Sequence, residues 1–241
     1  LVIRKAGTTG EILINLVTTS QQELKLEGIA TKLENLELVG HIVGFLHTIN
    51  DGKADTIQAD AVHVVFGKET ITEHILGLRF QISAFSFFQT NSHGAEKLFS
   101  LVRQFAGPQP GLVFDLYCGT GTIAQLLSPL AEKVVGIEIV PEAIEAAKIN
   151  ARINNLDNCT FIAGDVLTEL DRLEEQPNLI VLDPPRGGIH PKALEKIMAI
   201  GAPHIVYVSC QPVSLAKDLQ LLAANGYVST AIKCVDMFPH T

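Results

Sequence analysis

Hydrophobic and polar positions change rhythm after residue 78. Before it, β-rich runs surround polar turns: VIRKAG and EILINLVTT flank Thr8-Thr9-Gly10, a pattern that predicts a hairpin. From Ser20 to Leu38, Leu24, Ile29, Leu33 and Leu36 recur near helical spacing, so a helix capped by Ser20 is expected. HIVGFLHTI and TIQADAVHVVFG return to strands, with Asn50-Asp51-Gly52 as their turn. After residue 78, FSFFQTNSHGAEKLFSLVRQFAG predicts a helix that starts near Thr90 or Asn91 and stops at Gly107-Pro108. Strands LVFDLY, VVGIEI, CTFIAGD, LIVLDPP, HIVYVSC and YVSTAIKCVDMF then follow in order. Helical stretches TIAQLLSPLA, PEAIEAAKINARINN, KALEKIMAI and VSLAKDLQLLAAN lie between them. Apolar strands separated by helices of this length imply an α/β unit whose mostly parallel sheet is covered on both faces. The chain thus divides into a small α+β domain at 1–78 and a larger α/β domain at 79–241, with no internal repeat.

Composition narrows the class. The 241 residues are 47% hydrophobic and 18% charged, as in an ordinary globular protein. No apolar run is long enough to span a membrane, and the start has no signal-peptide pattern. Because the first residues already read as a strand pair, Leu1 reads as a cut point within a longer chain. Cysteines 118, 159, 210 and 234 have neither Cys-x-x-Cys spacing nor the density of a disulfide framework, which points to a reduced, cytoplasmic setting. The net charge of −8 opposes a nucleic-acid partner unless a local basic groove or a further basic domain supplies the phosphate contacts.

The candidate chemistry lies at strand ends. FDLYCGTGTIA ends a strand in a turn with Gly119 and Gly121 and then opens a helix, so a ligand can approach both bare backbone and free N–H groups. Ala124 stands where a dinucleotide fingerprint has its third glycine, which favours an adenosine ligand without a pyrophosphate. Glu138 ends the next strand, about twenty residues on, where an acid can accept both ribose hydroxyls. Asp165 ends the third strand; it suits an adenine amine or simple turn chemistry after Gly164. Asp183 ends LIVLD, and Pro184 and Pro185 stiffen the wall beside it. Cys210 ends HIVYVSC just before a helix whose first-turn residue is Pro212. Open α/β sheets bind ligands at this edge.

FSFFQTN, FDLYCGTG, GIEIVPEAI, LDPPRGG, VSCQP and MFPHT, in this order, resemble the S-adenosylmethionine-dependent RNA uracil-C5 methyltransferases, which form 5-methyluridine in 23S ribosomal RNA and in the tRNA T-loop. The resemblance is distinctive over about residues 80–241; residues 1–78 resemble the family's central domain less closely. It implies a Rossmann-like class I methyltransferase fold with a mostly parallel seven-strand sheet whose last strand would fall beyond Thr241. It also implies S-adenosyl-L-methionine contacts at Gln89, Tyr117, Glu138 and Asp183, with Gly119 and Gly121 in the turn, Asp165 near the adenine, and Cys210 as nucleophile. Gln211 stands where the family usually has Asn. The family's proton-abstracting Glu would lie beyond Thr241, and its RNA-binding barrel and iron–sulfur cysteines before Leu1.

The implied chemistry accounts for the residue types. Carbon 5 of uracil is a poor nucleophile until a thiolate adds to carbon 6, after which it can attack a methyl group. A base must then remove the carbon 5 proton. The positive end of the helix after Cys210 favours a thiolate there. The target base must leave its stack, which is easiest in a loop, so the expected partner is structured RNA, 23S ribosomal RNA ahead of tRNA, with no role for DNA or a membrane. Three alternatives stay open: a tRNA enzyme, a fragment that binds cofactor or RNA without turnover, and a base-amine methyltransferase. The last usually has an aromatic residue where Arg186 stands. Arg186 suits RNA phosphate, the uracil or a surface ion pair, and His190 and His240 fall near the proposed cleft. Cys118, Cys159 and Cys234 read as packing residues, and no spacing fits a metal.

Overall fold

The computed structural model describes residues 1–21, 24–26, 28–52, 59–108 and 111–239. The chain forms two compact units, Leu1–His93 and Gly94–Thr241. This break lies later than the boundary expected after residue 78, because strand β6 (Leu78–Ser83) pairs antiparallel with β5 (Thr70–Ile75) and cannot be separated from it.

In the first unit, β1 (Val2–Lys5), β2 (Glu11–Thr18), β3 (His41–Ile49) and β4 (Ala61–Gly67) form a four-stranded sheet in the order β1-β2-β3-β4. The expected β1–β2 hairpin is present, its turn closed by the Gly10 N–H on the Ala6 carbonyl at 3.2 Å. Strand β3 pairs antiparallel with β4, and Asn50 Oδ1 accepts the Gly52 N–H at 2.9 Å in the turn that follows β3. The beginning of the expected TIQADAVHVVFG strand lies outside the described residues.

The helix expected from Ser20 to Leu38 shortens to α1 (Ile29–Glu34). Gly28 before it is left-handed at φ 76°, a conformation a continuous helix cannot contain. The Ser20 N–H donates to Asp51 Oδ1 at 2.8 Å, which ties Ser20 to the turn after β3. Leu26, Ile29 and Leu33 pack on the core of Ile12, Ile14 and Phe45, whereas Leu24 and Leu36 are exposed. The buried stripe is too short to support a longer helix.

Helix α2 (Ser92–Ala106) begins where the sequence places it and ends at Gly107, at φ 60°. The second unit carries β7 (Leu112–Leu116), β8 (Lys133–Glu138), β9 (Cys159–Ala163), β10 (Leu179–Leu182) and β11 (His204–Tyr207). All neighbouring pairs are parallel, and the order is β11-β10-β7-β8-β9. The connections contain α3 (Thr122–Leu127), α4 (Pro141–Ile153), α5 (Val166–Glu169) and α6 (Pro191–Ile200), and α7 (Pro212–Ala224) follows β11. Phe114, Leu116, Val135, Ile137, Ile180 and Leu182 turn one sheet face into a core shared with α5, α6 and Leu222 of α7. Alternation along the strands turns Asp115 to the opposite face, where α3 packs.

From β7 the chain runs outward through β8 and β9, then returns to place β10 and β11 on the other side of β7. The order therefore reverses between β7 and β10, and open α/β sheets bind ligands at the carboxyl ends of the strands beside such a reversal. This sheet has five strands among the described residues, where the resemblance implies seven with the last beyond Thr241. YVSTAIKCVDMF, expected as a strand, forms none; the Tyr227 hydroxyl holds the Ala202 carbonyl at 3.0 Å, and Val228, Ile232 and Phe238 beyond it are exposed. Alternation marks which side chains would share a face, but a strand also needs a hydrogen-bonding neighbour, and among the described residues β11 pairs only with β10. Among the described residues, no helix is long and apolar enough to cross a membrane.

Candidate active site at the carboxyl edge of the sheet

Strand β7 ends in a tight turn. Tyr117 adopts φ 65°, rare for a bulky residue, and Gly119 and Gly121 follow at 53° and 72°. The two glycines serve different ends. A Cβ on Gly121 would lie 2.6 Å from the Phe161 ring and 2.9 Å from the Ala147 Cβ, so close packing requires its absence. A Cβ on Gly119 would meet nothing within 4 Å; that position faces open space where a ligand can lie.

Glu138, at the end of β8, is joined to this turn. Its Oε2 accepts the Gly119 N–H and its Oε1 the Val140 N–H, both at 3.1 Å. Each carboxylate oxygen keeps a further lone pair for a ligand hydroxyl. Asp115, inside β7, was not singled out from the sequence and is the most deeply buried acid here, with no exposed surface. Its Oδ2 accepts the Ala124 N–H of α3 at 2.8 Å, while Oδ1 is buried without a partner among the described residues. Burial, and then the charge of Asp183, push its carboxyl up to about 8. The available signal was an acid interrupting the apolar run VFDL just before a glycine turn.

Asp183 follows β10, the strand beside β7, and its N–H reaches the Leu116 carbonyl at 3.4 Å. Burial raises its carboxyl to about 6. Burial also lifts the Tyr117 phenol to about 12, with the charges of Asp165 and Asp218 adding to the effect. Asp165 therefore acts electrostatically on the turn, but its side chain is committed locally: Oδ1 accepts the Leu167 N–H at 2.9 Å and caps α5. Turn chemistry is the role seen.

Cys210 is exposed in the connection from β11 to α7, which begins at Pro212 as expected. The Val208 N–H on the Leu182 carbonyl, at 2.7 Å, extends the ladder toward it. Gln211 is the residue before the helix and makes no side-chain cap; its N–H donates to Ser209 Oγ at 3.1 Å. The other thiols differ. Cys118 is buried and held well above the ordinary thiol range, first by desolvation and then by Asp115 and Glu138; burial raises Cys159 to about 11. Both remain protonated packing groups, and Cys234 is exposed.

Tyr117, Gly119, Gly121, Glu138, Asp183 and Cys210 thus occupy the carboxyl edge of one sheet, with Asp115 beneath the turn and Asp165 at the edge strand. Gln89 lies in the first unit, between β6 and α2, in a loop held by Arg4: Nε donates to the Ala84 carbonyl at 3.0 Å and Nη2 to that of Ser86 at 2.6 Å. His190 caps α6 by accepting the Lys192 N–H on Nδ1, and His240 lies outside the described residues. A surface hollow lined by Leu167, Thr168, Lys192, Glu195, Lys196 and Ala199 contains none of the site residues.

The chain is 52% identical over 242 residues to an uncharacterized RNA methyltransferase of Clostridium tetani and 54% identical over 242 residues to another of Clostridium acetobutylicum. Each comparison takes in 100% of this chain and 53% of the relative, so the chain spans about half the length of these proteins. The crystal structure of a Pyrococcus abyssi tRNA (uracil-54, C5)-methyltransferase in complex with S-adenosyl-L-homocysteine superimposes with a TM-score of 0.82 at 29% identity, over 99% of this chain and 56% of that one. Residues 8–241 match the family described as tRNA (uracil-5-)-methyltransferase, and the chain belongs to that family.

Proposed function

We propose that the protein transfers a methyl group from S-adenosyl-L-methionine to carbon 5 of a uridine in a structured RNA, acting in the cytoplasm through Cys210. The observation that carries this reading is the placement of an exposed cysteine at the same sheet edge as the open glycine turn, in a chain of this family. The residues fit the cofactor. Gly119 leaves room over the backbone, Glu138 has lone pairs for ribose hydroxyls, and Asp183 is a half-buried carboxyl at the same edge, suited to a cationic ligand. Tyr117 is a further expected contact in the same turn; Asp165 shapes the turn near the adenine while capping α5. When bound, the cofactor supplies an electrophilic methyl group.

Cys210 supplies the nucleophile. Its sulfur bonds to carbon 6 of the uracil, and the electron pair of the 5,6 double bond moves toward the carbon 4 oxygen. Carbon 5 becomes nucleophilic; with the cofactor bound it would take the methyl group as the methyl–sulfur bond breaks, the electron pair of that bond staying on sulfur to leave S-adenosyl-L-homocysteine. A base then takes the carbon 5 proton, the double bond re-forms and the sulfur leaves as thiolate. Exposure of Cys210 suits a base extruded from its stack.

The target carried from the sequence is a uridine of 23S ribosomal RNA. A tRNA target is the second reading, favoured by the activity named for the Pyrococcus abyssi protein. Methylation of 23S ribosomal RNA and of tRNA transcripts by the full-length protein, with the product uridine mapped, separates them. For the nucleophile, the full-length protein with 5-fluorouridine RNA and cofactor is expected to give a denaturation-resistant adduct. Cys210→Ser should remove that adduct and leave S-adenosyl-L-homocysteine binding intact. An adduct that survives the substitution rejects Cys210.

A further inference from the structure

Asp218 of α7 is 6% exposed, and the chemistry just described does not use it. Its Oδ2 accepts the Tyr207 hydroxyl at 2.6 Å and the Ile189 N–H at 3.0 Å. Tyr207 is the last residue of β11, and Ile189 lies in the loop that leaves Asp183 through Pro184, Pro185 and Arg186. Cys210 lies between Tyr207 and Asp218, so the first hydrogen bond closes the base of the strand-to-helix turn that presents the thiol. The second ties that turn to the loop bearing Asp183. The fit is close: a Cβ on Gly188 would lie 2.9 Å from Asp218 Oδ2 and 3.1 Å from the Ser214 Cβ, and Gly188 has φ 79°. Ser214, also buried, donates its Oγ to the Gln211 carbonyl at 3.0 Å and tightens the same turn. Burial and the Asp218 carboxylate raise the Tyr207 phenol strongly, so it remains a donor at any working pH.

We propose that Asp218 is a positioning residue that holds the Cys210 turn and the Asp183 loop in register through Tyr207 and Ile189. The inference rests on the assignment of Cys210 as nucleophile. Reaction geometry tolerates little error: a displacement of about 1 Å can cost on the order of a hundred-fold in rate. The carboxylate holds two segments at once, the turn that bears the nucleophile Cys210 and the loop that bears Asp183. Neither contact is to substrate, so the effect should fall on the chemical step and not on binding.

The test uses the full-length protein, 5-fluorouridine RNA and S-adenosyl-L-methionine, with the rate of adduct formation measured at saturating RNA and cofactor. Tyr207→Phe removes one hydroxyl and keeps the ring, so it serves even where Asp218→Ala fails to fold. It is expected to slow adduct formation at least about ten-fold, with RNA KM, cofactor affinity and melting temperature nearly unchanged. Asp218→Asn, whose carbonyl can accept the same two donors, should recover most of the rate lost in Asp218→Ala. A Tyr207→Phe rate within about two-fold of the unsubstituted protein overturns the positioning role, as does an equal rate loss in Asp218→Asn and Asp218→Ala. Cys210→Ser in the same assay keeps the two ideas apart. An adduct persisting there rejects the nucleophile and the inference with it; loss there with an unaltered Tyr207→Phe rate rejects only the inference.

Discussion

Both units bury carboxylates, and they treat them in opposite ways. In the first, Glu73 is 2% exposed and accepts the N–H groups of Gly7 at 2.6 Å and Thr8 at 2.9 Å, together with the hydroxyls of Thr8 and Ser92. Desolvation, the largest single influence, works to raise its pKa, but these donors together bring it below the ordinary range. Glu11 behaves likewise, with the Thr72 N–H at 2.6 Å and the Lys68 ammonium at 3.2 Å. In the second unit, Asp115 is buried and Asp183 half-buried, both with little hydrogen bonding, and both are raised. The first pair fastens turns and strands together. The second holds electrostatic stress at a sheet edge, as ligand sites do.

The largest test of this contrast is Glu73→Ala. It strands several inward donors, and a loss of about 3–5 kcal/mol is expected in urea unfolding of the intact chain. A loss below about 1 kcal/mol would show that Glu73 is not a fastener.

Asp115→Asn probes the opposite case through pH. A carboxyl whose folded pKa exceeds its unfolded one binds more protons in the native state, so its contribution to stability falls as pH rises. For Asp115 that contribution is complete below about pH 4 and is lost as pH climbs through about 8. Asn cannot ionise, and its carbonyl can keep the Ala124 N–H bond. Relative to the unsubstituted protein, the variant should therefore gain about 1–3 kcal/mol between pH 5 and pH 9. Parallel stability profiles for the two proteins would rule out the raised pKa.

The smallest effect sharpens the division within the glycine turn. Gly119→Ala should cost only about 1 kcal/mol of stability, for its left-handed backbone, yet weaken binding of S-adenosyl-L-homocysteine measurably by calorimetry. Gly121→Ala should cost more stability, about 1–3 kcal/mol, since its methyl strikes Phe161 and Ala147. Equal costs at both positions would remove the distinction between ligand space and packing.

Much of the site could be read along the chain because its signals are local. Apolar runs stop at Asp183 and Cys210, Gly119 and Gly121 punctuate a strand-to-helix turn, and Pro212 opens α7; each needs only its neighbours in sequence. The β1–β2 hairpin and the start of α2 were legible for the same reason. Other features depend on partners distant in sequence. Leu24 and Leu36 have helical spacing but nothing to bury against, so α1 keeps only its middle. Val228, Ile232 and Phe238 have strand-like character without a ladder. Asp165 carries one sequence signal and two uses, and the chain's path into α5 selected the cap. Asp115 reads as a strand residue until β8 and β10 flank it and α3 seals it from water. Asp218 reads as a polar position on a helix until Tyr207 and Ile189 arrive from either side. The sequence by itself determined the α/β alternation of the second unit and which residues sit at those strand ends, since propensity, periodicity and turn chemistry act over a few residues. Only the tertiary structure decided which carboxylates are fastened and which are left under stress, because desolvation and hydrogen-bond supply depend on what the fold packs around each group.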